Sequence, residues 1–458
     1  MSFTTINPAT GEQLAEFPLQ TDEEVFAALA TADRRYRTDW RLRPVAERAH
    51  VVARAAEILR AKRDEYAHLP IIEMGKVEKF SYLEVDLVAD ILDYYADNAE
   101  RLLAAQELPD EPGATLVTEP IGVILAIEPW NFPYYQLARV AASQLVAGNV
   151  VMMKQAENVP QSALAFARLF EEAGAPAGVY TNLFCSIDQV ADLIDDFRVR
   201  GVTLTGSERA GTSVGERAGR NLKKVVLELG GSDPALVLDG ADLNLAVEQI
   251  VMGRTYNSGQ GCVNIKRVIV VGRERGRQVL AALKQRFAGI HVGDPTDPMT
   301  DLGPLSSQRA LETLLSQIDA ASAAGATIEL GGHRLDRPGF FLEPTIITGI
   351  APDNPLFRQE AFGPVLSFYV VDTEDEALEL ANATKYGLGG YIFDADLDHA
   401  KDIAARVESG MVYINSCFVD SPRLPFGGVK NSGFGRELSE IGIGEFLNRK
   451  LIRVSDRA

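Results

Sequence analysis

The sequence predicts an α/β protein of two or three domains organised on parallel sheets. Three observations predict it: two successive series of short apolar runs alternating with helical stretches, a length of 458 residues, and an apolar content of 46%. That content is ordinary for a soluble chain, and the length allows a sizeable buried core.

Along the chain, Thr21-Asp-Glu-Glu24 has the spacing of a helix capping box, in which the Thr hydroxyl satisfies an early amide and the Glu reaches back. After Pro44, the apolar Val51, Ala55, Ile58 and Leu59 recur at helical spacing between Arg and Glu, the pattern of an amphipathic helix laid on a larger body. The N-terminal region therefore reads as mostly helical. From about residue 115 the texture changes to the strand-like runs Val123 to Ile127, Val150 to Lys154, Tyr180 to Cys185, Val202 to Thr205 and Val225 to Leu229. Runs of this length, joined by helices, imply a parallel sheet with right-handed crossovers and ligands at the carboxyl ends of its strands. A second series starts with Ala235 to Asp239, continues through the helix-like Leu243 to Tyr256 and the strand Val268 to Val271, and runs to about residue 415. Gly293-Asp-Pro-Thr-Asp-Pro298 reads as a turn.

Lys plus Arg number 45 against 64 for Asp plus Glu, a formal net charge of −19, which repels nucleic-acid phosphates and anionic membranes. No apolar run approaches the roughly 18 residues of a membrane span, and the first residues lack a signal-peptide pattern. Cys185, Cys262 and Cys417 lie far apart with no CxxC pair, and the five histidines never come close together. A disulfide framework and a metal site are not expected, and a cytoplasmic, reducing setting is.

Asn257-Ser-Gly-Gln-Gly-Cys262 ends the second-series helix and places glycines beside a thiol, leaving room for a substrate and backbone amides to reach the sulfur. A lone cysteine is also commonly a small buried hydrophobe. Val225-Val-Leu-Glu-Leu-Gly-Gly sets Glu228 in an otherwise apolar strand, where burial raises a carboxyl towards the range of a general base; the alternative is a strand-end carboxylate facing solvent. Glu128-Pro-Trp-Asn-Phe-Pro133 follows the first strand, so the Asn131 amide stands in the crevice, suited to stabilise an oxyanion or to satisfy its own turn. The usual glycine-rich nucleotide fingerprints are absent from suitable context. Instead, Val202-Thr-Leu-Thr-Gly-Ser207 runs from strand to helix, so that Ser207 and the helix-start amides can face a pyrophosphate.

Together with Gln359-Glu-Ala-Phe-Gly-Pro364 and Pro425-Phe-Gly-Gly-Val-Lys430, these segments resemble, in order and spacing over nearly the whole chain, the aldehyde dehydrogenase superfamily. The resemblance implies a Rossmann-type cofactor domain, a second α/β catalytic domain and a small β oligomerisation segment. It divides the chain into residues 1–101 and 121–230 for the cofactor domain, 102–120 for the oligomerisation segment, 231–430 for the catalytic domain and 431–458 for the returning tail. It implies that Cys262 attacks the aldehyde, that Asn131 holds the oxyanion, and that Glu228 activates the water that hydrolyses the thioester. It assigns Lys154 and Glu157 to the adenosine ribose, Ser207 to the pyrophosphate, Glu360 and Phe362 to the nicotinamide ribose, and Trp130 to the same cleft. A carboxylate at Glu157 is expected to bond a 2′-hydroxyl and repel a 2′-phosphate, which favours NAD over NADP.

Arg139 matches an arginine with which succinate-semialdehyde dehydrogenases of this family hold the distal carboxylate, a task suited to a buried bidentate guanidinium. Its alternative is a helix-surface ion pair. A second arginine of such enzymes, six residues before the nucleophile, is Tyr256 here, with Ser421 and Arg423 as candidate substitutes. Tyr134 and Tyr135 suggest an aromatic pocket wall. The expected activity is oxidation of succinate semialdehyde by a homodimer or homotetramer. The alternatives are a broad-specificity dehydrogenase of neutral or aromatic aldehydes, a relative that passes the acyl group to coenzyme A, and a catalytically silent member.

Overall fold

A computed structural model describes residues 2–419 and 421–455. Its first large sheet has six strands in the order Gly433–Phe434, Lys224–Glu228, Val199–Thr205, Val123–Glu128, Val150–Gln155 and Tyr180–Asn182. All neighbours are parallel except the short Gly433–Phe434, which runs antiparallel to Lys224–Glu228. From the central Val123–Glu128 the chain proceeds outward on one side to Tyr180–Asn182, then returns to the other side with Val199–Thr205. The topological switch point therefore lies between Val123–Glu128 and Val199–Thr205, where a crevice opens at the carboxyl ends.

The second sheet has seven strands in the order Thr327–Leu330, Thr345–Thr348, Val365–Val371, Arg267–Val271, Pro234–Val237, Gly389–Phe393 and Met411–Ile414. Only the edge strand Thr327–Leu330 is antiparallel to its neighbour. Both sheets are thus the predicted parallel kind. The predicted run Tyr180 to Cys185 stops pairing at Asn182 because the backbone there turns towards the N-terminal segment: Phe184 N–H donates to the Gln20 side chain, and its carbonyl accepts from Gln20 N–H. Val199–Thr205 begins earlier than predicted, its pattern having been interrupted by the exposed Arg200.

The helix Tyr135–Ala147 packs against the first sheet with every residue buried, Arg139 and Gln136 included. Helices Val45–Ala61 and Glu78–Leu103 cover it, and one apolar cluster joins all three to the sheet. Thr21 and Glu24 form the predicted capping box. Ala114–Pro120 pairs antiparallel with Gln106–Glu107 and with Leu447–Arg453, so the bridging segment and the tail form one three-stranded sheet. No helix among the described residues is long and apolar enough to cross a membrane.

Candidate active site at the switch point

The segments that leave the two flanking strands build the crevice. Pro129, Trp130 and Asn131 come from one, and Thr205, Gly206 and Ser207 from the other. They line a cavity of about 270 Å³ together with Glu228, Leu229, Gly230, Cys262, Glu360 and Phe362. Ser207 is the N-cap of helix Glu208–Arg220, its hydroxyl accepting from Ala210 N–H at 3.3 Å. Because Ser207 lines the cavity, the start of that helix, with its other early amides lacking intrahelical acceptors, stands beside the crevice. Trp130 meets Phe362 edge to face at 5.8 Å.

The loop that leads to Cys262 is strained into place. Asn257 and Ser258 have φ of 53° and 56°, and Gly259 has 73°. A Cβ at Gly259 would lie 2.4 Å from the Gly363 carbonyl carbon, and one at Gly261 would lie 2.1 Å from Asn264 Oδ1, so neither position accepts a side chain. Side-chain amides lock the loop: Asn264 donates to the Gly253 carbonyl at 2.8 Å, and Gln260 Oε1 accepts from Ser306 N–H at 2.9 Å. Asn131 is stitched to the same loop, its Nδ2 donating to the Gln260 carbonyl at 3.0 Å and its own carbonyl accepting from Asn257 Nδ2 at 2.8 Å. It is therefore not a turn Asn satisfying its own backbone, and one of its two amide hydrogens remains for the cavity.

Cys262 is partly exposed within this cavity. Burial pushes its thiol up to about 12, against the pull of Lys266 and Arg139 and with the help of Glu360 and Glu228. Glu228 ends its strand at 2% exposure, and neither carboxyl oxygen has a hydrogen-bond partner among the described residues. Burial first, then the negative neighbour Glu437, raises its pKa well above the carboxylate range, with Arg139 and Arg436 opposing. A thiol, an amide donor and an unpaired carboxyl with a raised pKa in one cavity form the constellation of covalent acyl chemistry.

The sequence profile of the aldehyde dehydrogenase family matches residues 1–452. The chain belongs to the aldehyde dehydrogenase family. It is 48% identical to a succinate-semialdehyde dehydrogenase [NADP(+)] of Deinococcus radiodurans, over 98% of this chain and 94% of that one. Among solved structures, Gox0499 superposes with a TM-score of 0.98 at 50% identity, covering 99% of this chain and 100% of that one. Succinic semialdehyde dehydrogenase from Streptococcus pyogenes, solved with NADP+, gives 0.97 at 46% identity over 99% and 100%.

These relatives correct the expectation that this aldehyde dehydrogenase prefers NAD: the Deinococcus enzyme is named for NADP(+), and the Streptococcus enzyme was solved with NADP+. The expectation rested on a fixed negative charge at Glu157. The side chain is instead 48% exposed and stands 3.6 Å from Lys154 Nζ, so its charge is partly offset and it is free to turn to solvent. Lys154 and Glu157 lie beyond the cavity lining, at and after the end of the strand next to Val123–Glu128, on the same carboxyl edge.

Arg139 is not on the cavity surface. It fits neither reading made from sequence, being fully buried with Nε 2.6 Å from Glu437 and Nη2 donating to Thr205 Oγ1 at 3.1 Å. Phe426 and Tyr135 lie against its guanidinium. Tyr134 is no pocket wall either: it is buried and stacked on Phe166. Tyr256 sits in an aromatic cluster with Phe132, Phe80 and Phe418. Ser421 Oγ accepts from Arg423 N–H at 3.3 Å, Arg423 is exposed, and neither lines the cavity. Sequence reasoning missed Glu437, which stands close after the Pro-Phe-Gly-Gly motif, and Lys266, whose signal was a cation four residues after Cys262. It also missed the buried Lys76–Glu84 pair, whose Glu84 carboxylate accepts from Tyr134 and Tyr135 N–H at 2.8 and 3.0 Å and so fixes the start of the helix after Asn131.

Proposed function

We propose that this enzyme oxidises succinate semialdehyde to succinate with NADP+, through a thioester on Cys262 that water hydrolyses. The observation that carries the chemistry is the meeting of Cys262, Asn131 and Glu228, distant in sequence, in one cavity at the switch point. Asn131's remaining amide hydrogen and the Cys262 backbone N–H hold the oxyanion formed when the thiolate adds to the carbonyl. A bound nicotinamide would supply the hydride acceptor for the carbon held there by Cys262 and Asn131. Glu228 then takes a proton from the attacking water, the role for which a raised pKa suits it. Its presence favours hydrolysis over transfer to coenzyme A. The helix start after Ser207 suits a pyrophosphate, and Gly230 leaves room for Glu360: a Cβ there would stand 2.3 Å from Glu360 Oε2. Ser207, Glu360, Phe362 and Trp130 hold the cofactor at this end, and Lys154 and Glu157 at the ribose end.

With Arg139 committed to Glu437, the candidates left for the distal carboxylate are Ser421 and Arg423, whose loop stands outside the cavity lining and has to close towards it to make that contact. Exposed Leu451 and Ile452 on the three-stranded sheet, with exposed Val454 just beyond its end, support assembly into a homodimer or homotetramer. The acidic composition and three free thiols support a cytoplasmic setting. Steady-state kinetics test the reading. Cys262→Ala should abolish NADPH formation. Succinate semialdehyde should exceed butanal in kcat/KM by about 100-fold, in keeping with one charge-assisted contact. Arg423→Ala should remove most of that ratio, and equal kcat/KM for the two aldehydes in the unaltered enzyme would overturn the substrate.

A further inference from the structure

Beneath the nucleophile loop lies a buried lysine to which the proposed reaction gives no part. Lys266 immediately precedes the strand Arg267–Val271, and its side chain is 2% exposed. Its ammonium group donates to the Gly261 carbonyl at 3.1 Å and to the Cys262 carbonyl, and stands 3.1 Å from Glu360 Oε1. The same Glu360 oxygen accepts from Gly231 N–H at 3.0 Å. Lys266 therefore ties the nucleophile's own peptide to the turn after Glu228, and Glu360 is its only carboxylate ion-pair partner within 4.0 Å among the described residues. A lysine held this far from water is costly unless its charge has a task.

We propose that Lys266 is a positioning residue for Cys262, gathering the loop's carbonyls beneath the sulfur and supplying positive charge that Glu360 holds in check. This rests on Cys262 being the nucleophile. The charged groups facing the thiol are Lys266 and Arg139, which favour the thiolate, and Glu360 and Glu228, which oppose it; Lys266 is the stronger of the two cations. Arg139 already answers to Glu437, which leaves Lys266 and Glu360 as the adjustable pair. Glu360 lines the cavity and keeps 18% exposure, whereas Lys266 keeps 2%, so Glu360 is the member of the pair nearer the cavity.

The test is the pH profile of iodoacetamide alkylation of the Cys262 peptide in the full-length protein without cofactor, read by mass spectrometry, since Cys185 and Cys417 are buried. Lys266→Met should slow alkylation at pH 8 about tenfold, a shift of about one unit in the apparent midpoint, whereas Glu360→Gln should speed it about threefold. Lys266→Arg should restore most of the rate. A purely structural role for the pair predicts changes of the same sign in Lys266→Met and Glu360→Gln, and that result overturns the proposal, as does an unchanged profile in both. If Lys266→Met fails to fold, Glu360→Gln decides alone: no acceleration ends the idea. Activity retained by Cys262→Ala would instead remove the nucleophile reading itself, a separate outcome from a failed shift.

Discussion

The two ends of the cleft are made by opposite means. At the end proposed for the cofactor, Thr205, Gly206 and Ser207 are a regular strand end and a capped helix start, and a Cβ at Gly206 would meet nothing nearer than Leu204 at 3.6 Å. At the end proposed for the chemistry, three consecutive residues sit in the left-handed region, and Glu228, Arg139 and Glu437 are buried with oxygens or nitrogens lacking hydrogen-bond partners among the described residues. The first end asks only for a backbone arrangement that many sequences reach. The second stores strain and charge, which the surrounding fold must offset.

Substitutions should expose that difference, beginning with the largest effect. Arg139→Met leaves the buried Glu437 without its ion-pair partner and Glu228 with Arg436 alone, and chemical denaturation should show a loss of about 3–5 kcal/mol. Gly259→Ala forces a Cβ towards the Gly363 backbone at positive φ and should cost about 2–4 kcal/mol with loss of Cys262 alkylation, while Gly206→Ala should leave stability within about 0.5 kcal/mol. Equal effects of the two glycine changes would erase the contrast. The pH dependence is subtler. Burial raises the Glu228 pKa, so the folded chain keeps a proton that the unfolded chain releases above about pH 4.3. Its contribution to stability is complete below that value and is lost as pH rises through the raised folded value. Glu228→Gln cannot ionise, and should flatten the decline in Tm between about pH 5 and pH 9, while accumulating a thioester detectable by mass. Smallest, Ser207→Ala removes one cap and should cost about 1 kcal/mol with a raised KM for NADP+.

Much of the fold was legible because its signals are local. The runs Val123 to Ile127 and Val150 to Lys154 are apolar on both faces, as a doubly covered parallel strand must be, and Thr21 with Glu24 form a cap from adjacent residues. The places of Glu228 at the end of one strand and of Asn131 just after another were legible because such positions are set locally, whereas their meeting with Cys262 in one cavity was not. What escaped was decided by pairing across the chain. Arg139 looked like a ligand for a substrate carboxylate, and nothing near it in sequence shows that Glu437 takes it. Glu157 looked like a fixed negative charge, and its exposure beside Lys154 could not be read from Met153-Lys-Gln-Ala-Glu157.

By itself, the sequence determined two parallel sheets, the order of the motifs at their carboxyl ends and the family to which they belong, because strand period, capping and glycine placement act over a few residues. Only the tertiary structure decided which charges are free to act. Burial and ion pairing depend on neighbours brought from far along the chain, and a guanidinium or carboxylate has the same local spelling whether it faces a substrate or is already spent on a partner.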